Sequence, residues 1–258
     1  MDPTTVKAYL RRIQAPHVTT ADRATLAELH LRHLETVPFE NLSIHLGERI
    51  ELEETSLVDK LVHRRRGGFC YELNGAFAML LRALGFTVTH QSARVYTGDG
   101  DLGPPFDHLA LRVDLDEPWL VDVGFGRGPV RPLRLDSREP QPDEDGEYRI
   151  VGVDNGDRDL YREDTPIYRI EARARELRDF VPTCWYHATC PDSHFTRNTT
   201  CSRRVPGGRV TVSGNRLIES VHEQRSETVL DSDEDVLATY RSRLGVELDR
   251  VPAVPHPR

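Results

Sequence analysis

The sequence predicts an α+β protein in which helices come first and strands follow. Two observations carry this. Residues 3–84 place apolar side chains at helical spacing, and from Phe86 onward the apolar period changes to two. A third is a closing helical stretch, Ser232–Leu244, that follows a strand hairpin. In order, the predicted helices are Thr4–Arg12, Thr20–Thr36, Ser56–Arg64 and Cys70–Leu84. Thr20 and Ser56 are read as N-caps, with Asp22 and Asp59 in the first turns that follow them, and Gly85 as the stop after the fourth helix. FTVTHQSARVYTG from Phe86 is strand-like, and FDHLALRVDLDEPWLVDVGFG from Phe106 reads as a hairpin turning at Asp114–Pro118. Residues 137–166 are polar and acidic and read as turns and short edge strands, a solvated surface meander. Arg169–Arg178 reads as a further strand edge or turn, and CWYHATC at 184–190 has strand-like composition. RVTVSG and RLIESV form a hairpin about Gly214-Asn215. Ser232 caps the last helix and Gly245 follows its end.

Composition bounds the class. A chain of 258 residues, 38% hydrophobic and 29% charged, has room for a sizeable core and more than one subdomain. No apolar run approaches the length of a membrane span, and MDPTTVKAYLRRI lacks a charged-then-apolar signal pattern, so a cytoplasmic location is expected, with no membrane partner. The formal net charge of −8 argues against nucleic acid as a partner and requires that any anionic ligand be held by local groups. Basic residues are nearly all arginine; Lys7 and Lys60 are the two lysines.

RRRGGFCYELNGAF is the most informative stretch. Cys70 follows a Gly-Gly turn and Phe69, and Leu73, Phe77, Leu80, Leu81 and Leu84 then share one helical face. The thiol is therefore at or near a helix N-terminus, where unpaired N–H groups and the dipole favour thiolate over thiol. That setting marks Cys70 as a candidate nucleophile, against the alternative of an inert buried cysteine. Its partners come from the hairpin. With the turn centred near Asp116, position 110 pairs with position 122, so His108 and Asp122 become diagonal neighbours on one face, within reach of a hydrogen bond. Leu120, Val121 and Val123 imply that Asp122 is buried, and a buried carboxylate needs a partner; here it would fix the imidazole tautomer. A slip of one residue in the register would separate the pair.

These motifs resemble those of the arylamine N-acetyltransferase family: RGGFC at 66–70, HLAL at 108–111, LVDVGFG at 120–126 and PFENL at 38–42. The likeness is good over about residues 5–130 and looser through WYHATCPDSHFTRNTTCSRR at 185–204. It implies a Cys70–His108–Asp122 triad that takes an acetyl group from acetyl-CoA and passes it to an arylamine, arylhydroxylamine or hydrazine through an acetyl-cysteine, by a ping-pong mechanism. It implies a cysteine-protease-like core in three parts: an N-terminal helical bundle over 1–85, a β-barrel-like domain over 86–190 and an α/β lid over 191–258. It also implies Phe125 and Gly126 as cleft residues, Phe39 and Val95 as acceptor-pocket walls, and an Arg66–Glu40 ion pair tying the cysteine loop to PFENL. An oxyanion is expected to be received by backbone N–H groups, that of Cys70 among them.

Cys184, His187, Cys190, His194 and Cys201 suggest a zinc cluster, but the tight Cys-x₂₋₄-Cys spacing of structural zinc is missing, so no metal is expected. GFGRGP at 124–129 lacks the βαβ context of a dinucleotide motif and reads as the turn leaving the hairpin. Other readings of the same triad stay open: an amide synthase of this fold closing a polyketide macrolactam, a transglutaminase-like or peptidase hydrolase, and a binding protein that keeps only the fold. Acetyl-CoA-dependent acetylation of a simple aniline would separate the first reading from these.

Overall fold

A computed structural model describes residues 1–16, 18–222 and 224–253. The first third is helical: α1 Pro3–Arg12, α2 Arg23–Thr36, a two-residue strand β1 Phe39–Glu40, α3 Leu42–Leu46, α4 Glu54–Val58 running on into a π-turn at Asp59–His63, and α5 Cys70–Ala83. α2 begins three residues later than expected because Asp22, rather than Thr20, is its cap: Asp22 accepts from the Thr25 N–H at 2.8 Å, while the Thr20 hydroxyl donates to Asp22. Ser56 is likewise no cap. It sits inside α4, and its hydroxyl donates to Glu51. α5 follows its prediction closely, running to Ala83 with Leu84 as its C-cap and Gly85 in the left-handed region at φ 93°.

The middle of the chain is one eight-stranded antiparallel sheet: β2 Thr87–Val95, β3 His108–Asp114, β4 Pro118–Val121, β5 Leu133–Arg134, β6 Gln141–Asp143, β7 Gly146–Gly152, β8 Arg158–Arg162 and β9 Thr165–Arg175, in the order β5-β4-β3-β2-β9-β8-β7-β6. Its two end strands meet where the Gln141 side chain bonds the Arg134 backbone N–H and C=O at 2.7 and 3.0 Å, which nearly closes a barrel. Much of the 137–166 segment does face solvent, with β6 a short edge strand, but the segment is more than a surface meander. β7 and β8 are regular interior strands that place Tyr148, Ile150 and Leu160 in the barrel core. Arg169–Arg178, expected as a strand edge or turn, instead lies largely in β9, a central strand between β2 and β8. Charged residues between the apolar ones hide these strands: Glu147 and Arg149 are exposed beside the buried Tyr148 and Ile150, while Asp159 is itself buried against Arg169.

After β9 come α6 Val181–Thr189 and α7 His194–Arg197, then β10 Thr200–Val205, β11 Gly208–Ser213, β12 Arg216–Val221 and β13 Gln224–Val229, and last α8 Asp233–Thr239 with a π-turn to Leu244. CWYHATC is helical, not a strand, since it forms most of α6. β11 and β12 make the predicted hairpin about Gly214-Asn215, and Ser232 caps α8 by accepting from the Asp235 N–H. These strands form a second sheet, β1-β10-β11-β12-β13, into which the short β1 is drawn from the helical region.

Three apolar clusters hold the parts together. Tyr9, Leu26, Leu61, Phe77 and Leu81 of the helices pack with Leu111, Val113, Trp119 and Val121 on the outer face of β3 and β4. Ala110, Leu120, Leu133, Tyr148 and Tyr168 fill the inner face. Cys201, Val210, Val212, Tyr240 and Leu244 join the second sheet to the last helix. The β3–β4 register fixes His108. Leu111 pairs with Val121 and Val113 with Trp119, so His108 and Ala110 face the barrel interior.

Candidate active site

Cys70 is the first residue of α5, preceded by Phe69 in extended conformation. The two glycines before it are required by close approaches. A Cβ on Gly67 would lie 1.9 Å from the Pro38 carbonyl oxygen, and one on Gly68 would lie 2.7 Å from the Glu72 carboxylate. The loop is tied to PFENL by the Glu40 N–H donating to the Gly68 carbonyl at 2.8 Å and by the fully buried Arg66–Glu40 pair. That pair is not a two-oxygen fork: Nε and Nη2 of Arg66 both meet Glu40 Oε1, and Oε2 accepts the Leu42 N–H instead. Burial works to raise the Glu40 pKa, but the Lys60 and Arg66 charges outweigh it and hold the carboxyl below its ordinary range.

His108 Nε2 lies 2.7 Å from Asp122 Oδ2, and both side chains are almost wholly buried. Asp122 is saturated with donors. Oδ1 accepts from Asn74 Nδ2 at 2.8 Å and from the Gly124 N–H at 2.9 Å, and Oδ2 also accepts from the Tyr168 hydroxyl at 3.0 Å. Burial alone would raise its pKa; the His108 charge and these bonds lower it. For His108 the balance runs the other way. Burial pulls the imidazole down, yet the Asp122 charge and hydrogen bond, with a further hydrogen bond from the Cys70 side chain, push it up to about 10. Because Nε2 is taken by Asp122, Nδ1 is the nitrogen left for the thiol. Phe125 and Tyr168 pack on the ring with centroids 5.2 and 5.1 Å away. A Cβ on Gly124 would come within 2.7 Å of Cys70 Cα, so only glycine lets the hairpin end lie this close to the nucleophile's helix.

Cys70 and His108 open onto a cleft of about 710 Å³ between the barrel, α6 and α7. Phe39, Val95 and Phe125 line it as expected from the motifs, but Gly126 does not; it sits behind Phe39, whose ring a Cβ there would meet at 3.8 Å. The far wall holds a second histidine–carboxylate pair, His187 Nε2 to Asp107 Oδ1 at 2.9 Å, with Ser193 Oγ at Nδ1. Both nitrogens of His187 are therefore committed. Among the described residues no three His, Cys, Asp or Glu side chains converge to hold a metal ion. Cys184 and Cys201 lie in apolar cores, where burial pushes their thiols up.

The chain as a whole has relatives among known proteins. The family model described as N-acetyltransferase matches residues 22–253. The arylamine N-acetyltransferase of Escherichia coli K12 is 36% identical over 80% of this chain and 75% of its own length, and a Gallus gallus pineal gland isozyme is 31% identical over 95% of each. The chain belongs to the arylamine N-acetyltransferase family. Solved structures agree. The Salmonella typhimurium enzyme superimposes with a TM-score of 0.89 at 30% identity over 95% of this chain and 92% of that one. The Mycobacterium marinum enzyme in complex with CoA gives 0.85 at 29% identity over 93% and 92%.

Four site residues escape the motif reading. Asn74 lies one helical turn after Cys70, so its presence on the same face was available from spacing; it also donates to the Leu109 carbonyl and accepts the Val123 N–H. His30 holds the backbone beside Asp122, with Nε2 3.1 Å from the Asp122 carbonyl and Nδ1 2.9 Å from that of Val130. Burial lowers its pKa. Tyr168 falls between the two stretches 137–166 and Arg169–Arg178, His187 lies in a segment of strand-like composition, and no local signal marks either one.

Proposed function

We propose that the protein transfers an acetyl group from acetyl-CoA to the nitrogen of a small arylamine, arylhydroxylamine or hydrazine by a ping-pong mechanism. The observation that carries this reading is the arrangement of Cys70 at the start of α5 with the buried His108–Asp122 pair, all open to one cleft. In this mechanism Cys70 and His108 react as a thiolate–imidazolium pair. The thiolate attacks the thioester carbonyl, and the oxyanion is received by the backbone N–H of Cys70, one of the orphan donors of the helix end. The carbon–sulfur bond to CoA breaks, and the departing thiolate takes the imidazolium proton. The amine then attacks the acetyl-cysteine, His108 accepts its proton, and Cys70 leaves as thiolate, which restores the ion pair. Asp122 stays ionised throughout and holds the imidazole, while Phe39, Val95 and Phe125 wall the acceptor pocket.

In this reading the helical region to residue 85 supplies the nucleophile, residues 86–190 supply His108 and Asp122, and residues 191–258 act as the lid. The location is the cytoplasm, where acetyl-CoA is made and used; among the described residues no helix is long and apolar enough to cross a membrane. Incubation with acetyl-CoA and no amine, followed by peptide mass mapping, tests the proposal. It requires an acetyl adduct on Cys70 that a small aromatic amine or hydrazine discharges as N-acetyl product. Rapid CoA release without amine would identify a hydrolase, and loading only from a long-chain acyl thioester would identify an amide synthase.

A further inference from the structure

A second buried ion pair lies beneath the cysteine loop and has no part in the mechanism above. Lys60, in the π-turn after α4, places Nζ 2.6 Å from Glu72 Oε1, with the lysine side chain 10% and the glutamate 2% exposed. Glu72 is the third residue of α5, and its Oε2 accepts the N–H of Phe69 at 3.2 Å. One orphan donor of the helix end is thereby satisfied, and the carboxylate is held against the loop that presents Cys70, in the space Gly68 leaves open. A carboxylate at this position steadies the helix start, but its charge opposes a thiolate two residues away.

We propose that the Lys60–Glu72 pair positions and tunes the nucleophile, Glu72 by anchoring the first turn of α5 and Lys60 by cancelling the charge that this anchor would set against the Cys70 thiolate. The inference rests on Cys70 being the nucleophile. Around Cys70 stand Glu72 and Tyr71 on α5; Glu40 on β1 and Arg66 of the cysteine loop, which pair with each other, Arg66 also meeting Glu48; His108 on β3 with Asp122 just after β4; Cys184 and His187 on α6, His187 paired with Asp107; and Asp192 and His194 across the cleft. Two further facts place the pair in the electrostatic neighbourhood of the site. The Cys184 thiol is pushed up by burial first, then by Glu72 and Cys70, and pulled back by Lys60, so all three groups act on one buried point. Burial raises the Glu72 pKa, Lys60 is the largest influence opposing that rise, and Glu40 adds to it.

The test is the pH profile of Cys70 alkylation by iodoacetamide, read as the Cys70 adduct by mass spectrometry, for Lys60→Met, Glu72→Gln and the double variant, each checked by thermal melting. Lys60→Met should move the profile up by about one pH unit, a roughly tenfold slower reaction on its acid side. Glu72→Gln, which leaves Lys60 uncancelled, should move it down by a similar amount. The double variant should return close to the parent. The proposal is overturned if Lys60→Met and the double variant shift alike, if Glu72→Gln moves up, or if a folded single variant keeps the parental profile. Should Lys60→Met fail to fold, the direction of the Glu72→Gln shift decides alone. Failure of the nucleophile assignment would look different: the acetyl adduct of the unsubstituted protein would map away from Cys70, whatever the alkylation profiles.

Discussion

Replacing Asp122 by Asn tests the site most sharply, because the surrounding donors dictate how the new amide must sit. The Asn74 amide and the Gly124 N–H both donate to Oδ1, at 2.8 and 2.9 Å, so the amide oxygen has to remain there. Its NH₂ must then replace Oδ2, 2.7 Å from His108 Nε2 and 3.0 Å from the Tyr168 hydroxyl. An NH₂ facing Nε2 donates to it. That fixes Nε2 as acceptor and puts the ring proton on Nδ1, the nitrogen needed by the thiol. With the carboxylate gone, the main opposition to burial is lost and only Cys70 still raises the ring, so the imidazole falls from about 10 and the ion pair is weakened. A tautomer error of this kind costs a triad on the order of 10⁴ in rate, and a similar loss is expected in single-turnover acetylation of Cys70. Because the change is isosteric and also removes a buried charge, stability should fall by only about 1–3 kcal/mol and the fold should persist. Stopped-flow acetyl transfer, beside a thermal melt, measures both. A folded variant that kept more than about a tenth of the parental acylation rate would refute the tautomer argument.

Cys70→Ser should abolish acetyl transfer, whereas Ser at Cys184, Cys190 or Cys201 should leave the acetyl adduct on Cys70; an adduct on any of those three would show the nucleophile to be misassigned. Gly124→Ala should cut activity by about a hundredfold or more, because its Cβ would sit 2.7 Å from Cys70 Cα; an unchanged rate would mean that the hairpin end can retreat without cost. The pH dependence of stability has a fixed sign. His108 has a folded pKa of about 10, above its unfolded value, so its contribution is complete below about pH 6.5 and is lost as pH rises through about 10, while that of Asp122 is present above the ordinary carboxylate range and is lost on acidification. Denaturant midpoints across this alkaline window should therefore fall more steeply in the parent than in Asp122→Asn, and equal slopes would contradict the coupling.

Much of the site was legible because its parts are local in sequence. The glycines, the thiol and the amphipathic run that define the start of α5 are contiguous, and the hairpin symmetry about Asp116 placed His108 and Asp122 on one face in the register observed. What was not legible depends on contacts distant along the chain. β7, β8 and β9 look like surface because charged residues, mostly Arg, interrupt the few apolar ones that the barrel buries, and Tyr168 reaches Asp122 only through that barrel. α6 was misread because β-branched and aromatic residues in VPTCWYHAT mimic a strand, while its helical face is set by packing of Cys184 and His187 against the cysteine loop and Asp107. Caps were misplaced where two candidates stood close together, as at Thr20 and Asp22, and geometry chose the stronger acceptor.

The pairing of β1 with β10 joins Phe39 to Ser202 across well over half the sequence. During synthesis the helices, the cysteine loop and the barrel leave the ribosome long before that partner strand exists. Phe39, a wall of the cleft, therefore gains its sheet neighbour only once the second sheet has emerged. A nascent or truncated chain that ends before Thr200 would carry the reactive cysteine and the buried Arg66–Glu40, Lys60–Glu72 and His108–Asp122 pairs but no finished wall around them. Such a chain is expected to present exposed apolar surface for chaperones or proteases to act on, so that incomplete synthesis yields no partially active enzyme with an unguarded thiol.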